Sequence, residues 1–177
     1  MLCLSGNYVT ESTISNVINL IVSTRDLHIY SVHKLYFSVK NNQSQEGLVK
    51  VALYAFGEYG DLLVNNSVLG SENETINVTD NELLTLISEF LDKKFNNITI
   101  KEYLLNTLVK LSVKLNEKNH EIIKLMVEKE NFSFYPEVQQ RASEYLILVN
   151  LKNDELKHKI LDGIPISKIL KENDIQK

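Results

Sequence analysis

The sequence predicts an all-α protein, an α-solenoid built from antiparallel pairs of about eight helices. Its 177 residues include only two prolines and six glycines, too few turn-forming residues for a β-sandwich with many strands. Apolar residues recur with the period of an α-helix along almost the whole chain. Most segments between the apolar stripes are only a few residues long, so consecutive helices should be antiparallel neighbours.

Four apolar stripes locate helices most directly. They lie within residues 14–22, 83–91, 104–115 and 138–149, and each places large apolar side chains on one helix face. These stripes, combined with start and stop signals along the chain, predict eight helices. The predicted helices span residues 11–23, 26–40, 46–64, 79–95, 98–115, 118–130, 136–150 and 153–161.

Capping residues mark the starts of several of these helices. Thr79 with Glu82, and Thr99 with Glu102, have the spacing of a capping box, in which side chains bind backbone N–H groups that the helix leaves unpaired. Pro136 suits the first turn of a helix, because its missing N–H would be unpaired there in any case. Three of the eight predicted helices therefore carry an independent start signal.

Two segments are predicted to lie outside the helices. Residues 65–78 are polar, acidic and rich in asparagine, and we predict a loop there. Gly163 followed by Pro165 predicts the end of the last helix. Residues 1–171 would then form the solenoid, and residues 172–177 are predicted to be a flexible tail.

The spacing of the helix starts favours a repeat architecture. Starts near residues 11, 46, 98 and 136 group the helices into pairs of about 35–50 residues, the range of HEAT and armadillo repeats. The helices also carry broad apolar faces, as expected when each pair packs against neighbours on two sides. A closed bundle of eight helices is the alternative arrangement.

Composition excludes several classes of protein. The formal net charge of −4 argues against nucleic-acid binding, which needs a basic face. The single cysteine, Cys3, rules out an internal disulfide framework and fits a reducing compartment. The opening residues are too short and too polar for a signal peptide, and no stretch approaches 18 apolar residues.

Residues that could carry chemistry do not form a recognisable site. His28 and His33 are five residues apart and would lie about 140° apart around a helix. His120 and His158 have no ligand-type neighbours at helical spacing, and Cys3 has no positioned base. Phosphate-binding, dinucleotide-binding and serine-nucleophile motifs are absent from the sequence. We therefore predict no catalytic residues, no cofactor and no metal site.

Three charged residues have two possible roles. Glu58 and Asp61 lie three residues apart on one helix and could form an acid–base pair, but surface or interhelix charges are the favoured interpretation. Arg141 stands out because the chain otherwise uses lysine almost throughout, and a planar guanidinium offers donors that lysine cannot imitate. It should bridge adjacent repeats or contact a partner subunit.

Two glycines lie three residues apart inside an apolar helix. Gly57 and Gly60 should each cost about 1 kcal/mol relative to alanine, so they need a compensating role. We predict close packing of a neighbouring helix at Gly57 and local distortion at Gly60.

The sequence around these glycines resembles a known family. Residues 57–64, GEYGDLLV, resemble a signature of the adaptin large subunits, particularly of gamma-adaptin. Residues 137–145, EVQQRASEY, are similar to a second adaptin motif further along the chain. Residues 6–9 and 28–36 resemble the preceding repeats, and the likeness runs in unbroken order over about residues 4–165.

The resemblance implies a non-enzymatic scaffold subunit of a heterotetrameric clathrin-associated adaptor complex. This chain would be the C-terminal part of the large-subunit trunk. The implied function is vesicle-mediated protein transport and cargo sorting at the trans-Golgi network and endosomes, on the cytoplasmic side of coated-vesicle membranes. The implied partners are a second large, a medium and a small subunit, with clathrin and an Arf-family GTPase bound through other parts of the parent protein. A generic HEAT or armadillo module from another process is the alternative.

Overall fold

The computed structural model describes residues 9–69, 75–93, 95 and 98–161. Within them the chain forms eight α-helices, as predicted, and none of these is long and apolar enough to span a membrane. The predicted helix stop at Gly163 and Pro165, the tail at 172–177 and Cys3 lie outside the described residues. The helices are α1 (Glu11–Ser23), α2 (His28–Asn41), α3 (Glu46–Asn65), α4 (Asp80–Asp92), α5 (Thr99–Lys114), α6 (His120–Glu130), α7 (Pro136–Val149) and α8 (Asp154–Leu161).

The predicted loop between α3 and α4 contains a short antiparallel pair of strands. β1 (Val68–Leu69) pairs with β2 (Thr75–Ile76), with Val68 opposite Ile76. The β-branched and apolar residues of these dipeptides favour an extended backbone, which the acidic composition of the segment concealed. The polar segment is therefore a loop with a small hairpin inside it.

The fourth helix is shorter than predicted. It ends at Asp92 rather than residue 95, because Lys93 adopts an extended conformation with φ −77° and ψ 135°. Phe95 nevertheless packs on the core, with its ring centroid 6.3 Å from that of Phe90. The predicted helix was too long because Phe95 continues the apolar spacing of α4, although it contacts the core from outside the helix.

One of the two predicted capping boxes is present. The Thr79 hydroxyl accepts a hydrogen bond from the Glu82 N–H, and the Glu82 carboxylate accepts from the Thr79 N–H at 2.8 Å. The predicted box of Thr99 and Glu102 is wrong, because Thr99 is the first helical residue and the N-cap, Ile98, makes no side-chain capping bond. Pro136 begins α7 as predicted.

The helices form two layers. In one layer α1, α3, α5 and α7 pack side by side in that order, and α3 with α5 make the most extensive contact. In the other layer α2 packs on α3, α4 on α5 and α6, α6 on α7, and α8 on α5. This open row of helices, covered by a second layer, is the predicted solenoid.

The core is centred on α3 and α5. Apolar residues of α3 are buried around most of its circumference, as expected for a helix enclosed by neighbours. Phe56 of α3, Leu83 of α4 and Leu108 of α5 are fully buried within one continuous cluster. Helices α3 and α5 therefore lie at the centre of the core, and the polar residues that remain on the row of odd-numbered helices form part of its surface.

Candidate protein-interaction face

The GEYGDLLV segment forms the part of α3 that approaches α5 most closely. A Cβ atom added at Gly57 would lie 3.4 Å from the Cα of Thr107, which is an ordinary contact. A Cβ at Gly60 would lie 2.5 Å from Cδ2 of Leu111, which is too close. Both glycines therefore face α5, as predicted for Gly57. The predicted distortion is misplaced by one residue, because Gly60 packs tightly and the non-helical backbone, φ −129° and ψ 20°, is at Tyr59.

Two lysines of α5 hold the bent region of α3. Lys110 forms an ion pair with the Glu58 carboxylate, and Lys114 donates a hydrogen bond to the Glu58 carbonyl oxygen. The ring of His28 stacks on Tyr59, with centroids 4.0 Å apart. Glu58 is thus an interhelix charge, which agrees with the favoured interpretation over an acid–base pair.

Ion pairs connect each odd-numbered helix to the next. Arg141 Nη2 lies 3.7 Å from Glu102 Oε1, so Arg141 does bridge adjacent repeats. Lys50, whose side chain is only 3% exposed, has its charge compensated by Glu11. The three pairs are Lys50–Glu11 between α1 and α3, Lys110–Glu58 between α3 and α5, and Arg141–Glu102 between α5 and α7.

Three tyrosines lie on the helices that these ion pairs join. Tyr54 of α3, Tyr103 of α5 and Tyr145 of α7 are all partly buried, and Tyr145 donates its hydroxyl hydrogen to Asn106. Burial, then the charge of Glu58, raises the pKa of Tyr54 to about 12. The pKa of Tyr103 is raised mainly by burial and further by the carboxylate of Glu11 on α1. The hydroxyls of Tyr54 and Tyr103 therefore stay neutral at physiological pH.

We call this surface the tyrosine face: Tyr54, Tyr103 and Tyr145 with the pairs Lys110–Glu58 and Arg141–Glu102. Tyrosine and arginine are the residues most enriched where proteins bind one another, since they combine a large contact area with polar groups. A row of solenoid helices presents such residues as one extended surface. The face is suited to binding a protein rather than to catalysis.

The histidines are distributed over the molecule in two groups. His33 is buried, with Nδ1 2.8 Å from the Ile29 carbonyl oxygen and Nε2 3.1 Å from that of Asn66. His120 and His158 line the same pocket, although 37 residues separate them in the chain. Within the described ranges, no group of three or more His, Cys, Asp or Glu side chains could hold a metal ion. Nothing in the sequence indicated that His120 and His158 line one pocket.

The fold and this face define a helical-repeat interaction scaffold. Residues 1–153 match the family described as "Adaptin N terminal region", and the chain belongs to the adaptin family. The family model that the chain matches describes the N-terminal region of adaptins. The predicted placement in the C-terminal part of the trunk is therefore corrected to the N-terminal part.

The relatives that the chain resembles agree with this family. The chain is 33% identical to "AP-1 complex subunit gamma" of Dictyostelium discoideum, over 93% of this chain and 18% of the relative. It is 35% identical to "AP-1 complex subunit gamma-1" of Arabidopsis thaliana, over 94% of this chain and 19% of the relative. "AP-2 complex subunit alpha-2" of Dictyostelium discoideum is 28% identical over 91% of this chain and 15% of its own length. The chain thus spans less than one fifth of the length of each of these relatives.

Proposed function

We propose that this chain is part of a large subunit of a clathrin-associated adaptor complex and acts there as a non-enzymatic scaffold. The observation that carries this proposal is the match to gamma subunits of AP-1 complexes along more than nine-tenths of the chain. The greater identity to gamma relatives than to the AP-2 alpha relative favours the gamma type. Family membership weighs against a helical-repeat module from an unrelated process.

The complex would serve vesicle-mediated protein transport on the cytoplasmic side of trans-Golgi and endosomal membranes. Its other chains would be a second large, a medium and a small subunit. Clathrin and an Arf-family GTPase would bind through parts of the parent protein beyond this chain. Membrane attachment would be peripheral and would depend on the assembled complex.

The tyrosine face is the surface on which we expect another subunit to dock. Its ion pairs join consecutive helices, so the side chains are held in place before a partner arrives. A surface that is already ordered loses little conformational entropy on binding. The face crosses three successive helices of one layer, α3, α5 and α7, which gives it the length that a globular partner would cover.

Affinity purification of the full-length parent protein tests the assignment. We expect co-purification of a second large, a medium and a small adaptor subunit in equal amounts. Recovery of the parent protein alone, from cells in which these subunits are expressed, would contradict the proposal.

A pair of tyrosine substitutions tests the face itself. Tyr54→Ala should reduce recovery of a partner subunit, whereas Tyr30→Ala should not, because Tyr30 is 57% exposed on α2, in the opposite layer. Urea unfolding of both variants controls for loss of structure. Equal recovery with both variants would place the docking surface elsewhere.

A further inference from the structure

A second polar surface lies at the end of the helical row where α5 and α7 end. An open pocket of about 540 Å³ lies between two corners of the fold. One corner joins α5 to α6, and the other joins α7 to α8. This volume is within the range of pockets that bind ligands or single side chains of a partner. We call it the corner pocket and define it by Val113, Glu117, His120, Leu151, Lys152, Lys157 and His158.

Positive groups outnumber negative ones around this pocket. Lys157 is only 4% exposed, and its ammonium donates to the Val149 carbonyl oxygen at 3.1 Å near the end of α7. Lys152 is exposed at the rim, and His120 and His158 add N–H donors. Glu117 is the one carboxylate among the described residues that line the pocket. Among the described residues that line the pocket, two lysines thus accompany one glutamate, on a chain whose formal net charge is −4.

Apolar side chains line part of the pocket, beside the polar residues Ser112 and Asn150. Val113, Leu115 and Leu151 form part of the wall between the charged groups. A glutamate side chain combines a short hydrocarbon stem with a terminal carboxylate, so it matches such a lining in both respects. A long polyanion such as a nucleic acid fits less well, because the net negative charge of the chain would repel it.

We propose that the corner pocket binds a short acidic peptide segment of a partner protein, with a carboxylate held by Lys152, His120 and His158. Lys157 lies at the base of the pocket, where its ammonium donates to the Val149 carbonyl oxygen. The proposal is independent of the adaptor assignment, because it rests only on the charges and shape of this pocket.

The histidine ring protons offer a direct readout by NMR. A blocked tetraglutamate peptide, titrated into the 177-residue chain, should shift the signals of His120 and His158 in a saturable way. His28 and His33 lie on α2, do not line the pocket, and should not move. They are internal controls in the same spectrum.

Two variants test the role of charge. Lys152→Gln should weaken binding by about two- to fivefold, the effect of one exposed ion pair, as followed at His120. Lys34→Gln, which removes an equally exposed lysine from α2, should leave the affinity unchanged. His158→Gln should also weaken binding, and His120 remains as the reporter in that variant.

Three results would overturn the proposal. The first is a set of equal shifts with a tetraglutamine peptide of the same length. The second is an affinity that is the same in Lys152→Gln as in Lys34→Gln. The third is tighter saturation by inorganic phosphate than by the peptide at matched ionic strength, which would make the pocket a phosphate site instead.

Discussion

Replacing Gly60 by alanine should destabilise the protein, although alanine is the better helix former. The added Cβ would lie 2.5 Å from Cδ2 of Leu111, whereas carbon atoms in contact lie about 3.5–4.0 Å apart. Leu111 would have to retreat by about 1 Å, and it is fully buried between α5 and its neighbours. Overpacking of this kind costs about 1–3 kcal/mol, against a helix-propensity gain of at most about 1 kcal/mol.

Gly57→Ala is the matched control on the same helix. Its Cβ would make only ordinary contacts with Thr107 and Lys110, so the propensity gain should remain and the variant should be as stable as the parent or slightly more stable. Urea unfolding should therefore separate the two alanine variants by about 1–3 kcal/mol.

A double variant tests whether contact with Leu111 causes the destabilisation by Gly60→Ala. In a chain that already carries Leu111→Ala, Gly60→Ala should lose its destabilising effect, because the atom it meets has gone. Two outcomes would refute the reasoning: equal free energies of unfolding for Gly57→Ala and Gly60→Ala, or an unchanged cost of Gly60→Ala in the Leu111→Ala background.

Three further predictions concern α3 and α4. Gly57→Leu should destabilise by about 1–3 kcal/mol in urea unfolding, because a longer side chain would meet the α5 backbone; a variant as stable as the parent would contradict this. The pKa of Tyr54 is raised to about 12, so folding favours its neutral form. The stability of the protein should therefore fall between about pH 10 and 12. Tyr54→Phe should lessen that fall in unfolding curves measured at alkaline pH. The backbone N–H and then the hydroxyl of Thr79 lower the pKa of Glu82, so its contribution is present above the unfolded-state pKa and is lost as pH falls through the folded-state value. Thr79→Ala should cost about 1 kcal/mol at neutral pH and reduce that acid dependence, whereas Thr85→Ala on the same helix should not.

Local signals were sufficient for most of the fold. The bounds of α1 match the prediction because its N-cap is local: the Thr10 side chain accepts a hydrogen bond from the Thr13 N–H. The start of α7 at Pro136 is equally local. Helix ends of this kind depend on residues within one helical turn of each other, so they can be inferred directly from a single sequence.

The errors arose where a distant residue decides the outcome. Phe95 continued the apolar period of α4, but it reaches the core from outside the helix. Glu102 had the spacing of a capping residue, but its carboxylate faces Arg141 of α7 instead. Neither contact can be inferred from neighbours in the chain. The corner pocket was missed for the same reason, since its lining comes from two corners that only the packing of α5 with α7 and α8 brings together.

The GEYGD sequence shows how a family signature can be structural throughout. Gly57 and Gly60 let α5 approach, and Glu58 binds two lysines of α5 that lie one turn apart, through its carboxylate and its carbonyl oxygen. Tyr59 makes the bend in α3 and stacks on His28 of α2. The signature therefore fixes how α3 sits against α2 and α5, and hence how successive helices line up the side chains of the tyrosine face. For the scaffold role proposed above, the geometry between helices is the property that matters, and a motif with no reactive group suits that role.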